Sequence, residues 1–63
     1  MEKAKVRLEH WIHHNDQHIE EYELFADQLE DAGKGSSARY VREMIELSIK
    51  SAECLKNALQ ELG

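Results

Sequence analysis

A formal charge of -5 over 63 residues, with no proline, three glycines and a third of the positions charged, describes one small all-α unit and no second domain. The acidic balance excludes the basic face that nucleic-acid binding requires, and the apolar runs are too short to cross a bilayer. Cys54 is the single cysteine, so no intrachain disulfide can form, and the polar segment Met1–Arg7 lacks the apolar core of a secretory signal; a reducing, cytoplasmic setting is expected.

The first predicted element is a helix over about 3–32. Leu8, Trp11, Asn15, His18, Tyr22, Phe25 and Leu29 alternate at spacings of three and four, and Ile12, Ile19 and Ala26 widen the same face. Between Leu8 and Gly33 stand eight acidic residues (Glu9, Asp16, Glu20, Glu21, Glu23, Asp27, Glu30 and Asp31) and no lysine or arginine. They read as a solvated helix face, with Arg39 and Arg42 placed to neutralise part of it; the same field would concentrate cations near the histidines.

The pattern breaks at 33–36. Gly33 suits the left-handed residue that ends a helix, Lys34 sits favourably by that negative end, and Ser36 or Ser37 is expected to cap the next helix. The second helix is predicted over about 37–62. Ala38, Val41, Ile45, Ser48, Ala52, Leu55, Leu59 and Leu62 form its seam, and Met44, Leu47, Ser51, Cys54 and Ala58 form a second stripe beside it. So short a turn makes the two helices antiparallel neighbours. Tyr22 then falls near Ile45, His18 near Ser48, Asn15 near Ala52 and Trp11 near Leu55, with Cys54 expected as a small buried hydrophobe.

One hairpin cannot cover two stripes, because two cylinders touch along one line, and a core of this size contributes only about 3–5 kcal/mol at best. The expected architecture is therefore an antiparallel two-helix hairpin that dimerises into a four-helix bundle. Docking to a different protein is the alternative use of the spare face.

Chemistry concentrates in the histidines. His10, His14 and His18 fall at i, i+4 and i+8 on one slowly drifting stripe, while His13 points elsewhere. Neutral imidazoles one turn apart can share a nickel, zinc or cobalt ion, which makes these three the candidate metal ligands. A structural zinc site closes with four ligands, and a two-fold dimer would double each histidine, with Glu21 or Glu53 as a further oxygen donor. The competing reading is structural: Asn15 as a register device and His18 hydrogen-bonded to Ser48 or Tyr22. An enzyme is not expected. There is no Glu-x-x-His for a di-iron site, and Cys54 and Ser48 lack the strained turn and oxyanion donors of acyl transfer.

The segment Leu8–His18, with Tyr22, Phe25 and Ala26 following, has the form L-x-H-W-x-x-H-N-x-x-H. It resembles a small uncharacterised helical domain of anaerobic bacteria and archaea that is associated with nickel-binding accessory proteins of carbon monoxide dehydrogenase. The resemblance covers nearly the whole chain and singles out His10, Trp11, His14, Asn15 and His18, leaving His13 outside. It implies a link to a metal and no catalytic activity.

The sequence thus points to a non-enzymatic, self-associating helical module that binds a transition metal through His10, His14 and His18. The alternative is a structural or partner-binding hairpin without metal.

Overall fold

A computed structural model describes residues 2–63 as two antiparallel helices, α1 (Glu2–Asp31) and α2 (Gly35–Glu61), packed along their length. The molecule is a rod of 48 × 14 × 9 Å with a radius of gyration of 14.6 Å. A rounded domain of this length would have a radius of gyration of about 11 Å, so most of the chain lies close to solvent.

The turn follows from Gly33. Its φ of 77° lies in the left-handed region that residues with a Cβ avoid, and nothing lies within 4 Å of where a Cβ would sit. Lys34 N–H reaches back to the Leu29 carbonyl at 2.8 Å and Gly33 N–H to the Glu30 carbonyl at 3.0 Å. This pair of bonds is the Schellman arrangement, which satisfies carbonyls that the end of α1 would otherwise leave bare. The second helix begins two residues earlier than the serines predict. Lys34 occupies the N-cap, its carbonyl accepts from Ala38 N–H at 2.9 Å, and no capping side chain serves α2 among the described residues. Ser36 and Ser37 lie inside the first turn because Gly33 reverses the chain so tightly that helical geometry resumes at once.

The interhelical seam consists of Leu8, Ile12, Asn15, Ile19, Tyr22, Ala26 and Leu29 on α1, all partly or fully buried. Facing them are Ala38, Val41, Ile45, Ser48, Ala52, Leu55 and Leu59 on α2. The α2 seam matches the sequence pattern except that Leu62 is exposed. The α1 seam is rotated: Ile12, Ile19 and Ala26 take the places predicted for Trp11, His18 and Phe25. Both readings share Leu8, Asn15, Tyr22 and Leu29, so period alone could not separate them. The buried positions among the described residues are Ala26, Ala38, Ile45 and Ala52, three of them alanines. The room left by these small side chains brings the backbones together, and an indole on that line would hold them apart.

Asn15 reports that close approach. Its Nδ2 donates to the Ser48 backbone carbonyl at 3.0 Å, a short side chain reaching the opposite main chain. The charged side of the rod carries Glu23, Asp27 and Glu46 around Arg42. Arg42 bridges to Glu30 at 2.8 Å and Asp27 at 3.1 Å, and these hydrogen bonds, that to Glu30 first, raise its pKa above the ordinary value. Arg39 instead lies over the Tyr40 ring at 5.1 Å. At the far pole Glu2 and Lys5 share a depression with Leu59, Leu62 and Gly63, so the two ends of the described chain are neighbours. Neither helix is long and apolar enough to cross a membrane.

Candidate functional site

The face opposite Arg42 holds the histidines. Trp11, His14, Asn15 and His18 of α1 line a shallow groove with Ser51 and Leu55 of α2. On α2 the stripe that contains Ser51 also runs through Met44, Leu47, Cys54 and Ala58, all exposed and none charged. On α1 the row through Trp11 and His18 continues to Phe25 one heptad on. One side of the rod is thus broad and largely apolar with imidazoles at its centre, and the other side carries the ion pairs of Arg42.

The three histidines predicted to share a stripe do so. Ring centres of His10 and His14 lie 5.6 Å apart, those of His14 and His18 4.7 Å, and the His18 ring stacks on Tyr22 at 5.9 Å with 13° between planes. The row is continuous because each step of four residues advances one turn and drifts only slightly around the axis. His13 lies outside it, as its position in the turn dictates.

The row does not converge on a point within one chain. Eight residues of helix separate His10 from His18 by about 12 Å of rise, far more than a single ion can bridge. Among the described residues, no group of three or more histidine, cysteine or acidic side chains is placed to hold a metal ion. His10 also opens onto a different part of the surface, with Glu2, Lys3, Val6, Arg7 and Trp11. The close pair that faces the groove is His14 with His18.

His18 is not the buried seam residue the sequence predicts. Its side chain is 45% exposed, and its Nδ1–H donates to Glu21 Oε1 at 3.1 Å rather than to Ser48 or Tyr22. The Ser48 carbonyl goes to Asn15, one turn earlier, because the rotation of α1 turns His18 out and leaves Asn15 on the line of contact. Glu21 therefore serves as a partner to His18 in this arrangement, not as an oxygen ligand beside it. Cys54 is exposed on the apolar stripe, against the expectation of burial, because the second stripe of α2 has no opposing helix.

Trp11 and Phe25, 48% and 50% exposed, were hard to place from the sequence because both fit the heptad of the seam. The signal that could have placed them is the smaller residue at the next position, Ile12 after Trp11 and Ala26 after Phe25, which lets an alanine-lined partner come closer.

In comparison with known proteins, residues 4–62 match a domain of unknown function (DUF8180). No curated protein and no solved structure matches the chain.

Proposed function

We propose that this chain, which belongs to the DUF8180 family, is a non-enzymatic helical module whose apolar face pairs with a second copy to make a four-helix bundle. The observation that carries the reading is surface area. The hairpin exposes 5053 Å². A compact monomer of 7.3 kDa exposes about 4,200 Å². The excess is roughly 900 Å², close to the about 800 Å² that each partner buries in a standard interface.

The composition of the face agrees. Trp11, Phe25, Met44 and Leu47 are large, exposed and uncharged, with Leu47 65% exposed. Aromatic and methionine side chains are what interface centres concentrate, and charge is what they exclude. A two-fold dimer presents the same patch from both copies, which suits a face whose large exposed side chains are apolar. Of the candidate ligands His10, His14 and His18, the close pair His14–His18 gives such a module one chemical capacity, binding a nickel, zinc or cobalt ion. A reducing, cytoplasmic setting suits the exposed thiol of Cys54.

Sedimentation equilibrium of the untagged chain at micromolar concentration tests the pairing. A species of twice 7.3 kDa is expected for the native sequence. Leu47→Glu and Phe25→Glu should return it to a helical monomer, since both residues lie outside the hairpin's own seam. A native chain that stays at 7.3 kDa with full helicity overturns the reading and leaves a different protein as the occupant of the face.

A further inference from the structure

We infer that the bundle holds one divalent transition cation per two chains, with His14 and His18 of each copy as its four nitrogen ligands and Glu21 as the group that orients His18. The inference rests on the pairing proposed above and adds a site that neither chain contains alone.

Spacing admits neighbouring histidines and the groove selects among them. Two imidazoles on one tetrahedral ion, with bonds of about 2.0–2.1 Å, hold their ring centres about 5 Å apart. His14 and His18 stand at 4.7 Å with their planes inclined by 53°, so only modest side-chain rotation is needed to aim both at one point. His10 stands 5.6 Å from His14, a spacing that serves as well, but it lines the outer surface instead of the groove.

Tautomer selects the binding atom. A carboxylate can only accept, so with Glu21 Oε1 at 3.1 Å from Nδ1 the neutral His18 ring carries its proton there and offers its lone pair at Nε2, the outer nitrogen. A carboxylate on one imidazole nitrogen and a cation on the other is the common second layer of protein metal sites, where it fixes the ring and raises ligand basicity. An i,i+3 glutamate supplies that partner from the same helix, before any metal arrives.

Position completes the set. His18 lies seven residues after Trp11 and seven before Phe25, at the middle of the apolar row. In an isologous contact, residues near the two-fold axis meet their own copies. An axis through the centre of this face brings the two His14–His18 pairs together, across the small side chains of Ser51. Two ligands from one chain leave a cation half-coordinated with water; four from two chains close it. Imidazole selects zinc, nickel, cobalt or copper over the hard cations calcium and magnesium.

The test titrates untagged, metal-free chain with zinc chloride or nickel chloride alone, using calorimetry alongside sedimentation. Saturation at one ion per two chains is expected, with the dimer tightened at least tenfold. His14→Ala and His18→Ala should each weaken binding at least 100-fold, and Glu21→Gln by about 10–100-fold. His10→Ala and His13→Ala should leave it unchanged. These positions are all exposed or half-exposed, and helicity of each variant is checked by circular dichroism. A dimer that forms without metal and neither saturates with these ions nor responds to them overturns the metal site alone. A chain that stays monomeric with and without metal overturns the pairing as well. Saturation at one ion per chain, or binding that survives His14→Ala, overturns the shared site.

Discussion

The amide of Asn15 donates to the backbone carbonyl of Ser48 at 3.0 Å, joining the middle of α1 to the middle of α2 across 33 residues of sequence. It is a polar tie in a seam otherwise made of aliphatic, alanine and tyrosine contacts, and it fixes how the two helices are matched along their length. A carbonyl already engaged in its own helix can accept it on the second lone pair. Replacing Asn15 with alanine should lower stability by about 1 kcal/mol, the usual net worth of such a bond. Asn15→Leu should keep or raise the melting temperature while broadening the oligomer distribution seen by sedimentation, because an apolar side chain does not specify register. A Leu variant that melts well below the native chain and remains a single species would contradict the register role.

Gly33→Ala isolates the backbone contribution of the turn. No neighbour lies near the added methyl, so the cost arises only from the positive φ and should be about 1 kcal/mol. For a domain of this size that corresponds to a fall in melting temperature of roughly 4–8 °C. Gly33→Asn should lose less, since asparagine tolerates the left-handed region. Equal losses for the two variants would point to a different origin.

Ala38→Leu tests the close approach of the helices. Ala38 is fully buried where α2 first meets α1, so three extra carbons must push the rods apart or distort the turn. A loss of about 1–3 kcal/mol in chemical denaturation is expected. A neutral result would mean that the seam is looser than its burial indicates.

Arg42→Ala removes both bridges to α1. The raised pKa of Arg42 means that its contribution is complete at every pH below the ordinary guanidinium value and fades only as pH rises past it. Titration of Arg42 therefore adds no pH dependence to stability in the neutral range. Because the pairs are solvent-facing, the effect should be small and should shrink in high salt, as read from melting curves at two ionic strengths. A salt-independent loss would assign Arg42 a packing role instead.

Much of the hairpin was legible because few alternatives fit the residues. The absence of proline, the lone break at Gly33 and the regular α2 seam leave two antiparallel helices as the simple solution, and both appear within two residues of their expected bounds at the turn. What the pattern could not decide was the rotation of α1. Trp11, His18 and Phe25 form as good a heptad as Ile12, Ile19 and Ala26, and the choice depends on how closely the partner lets the backbone come, a property of the alanines on α2. That single rotation explains the exposed indole, the outward His18 and the transfer of the Ser48 contact to Asn15. The histidine row itself was readable because neighbours at i and i+4 stay adjacent whichever way the helix turns. Glu21 as the His18 partner was readable in spacing but not in role.

The meeting of both chain ends at one pole has a consequence for topology. Since Glu2 and Lys5 share a depression with Leu59 and Gly63, a few flexible residues can join the ends there while the chain is opened within the loop at Gly33. The permuted protein would present α2 before α1 yet keep every interhelical contact, because side chains meeting along a groove register distance and not the order of synthesis. Its loss would be confined to the two carbonyls that the loop now satisfies.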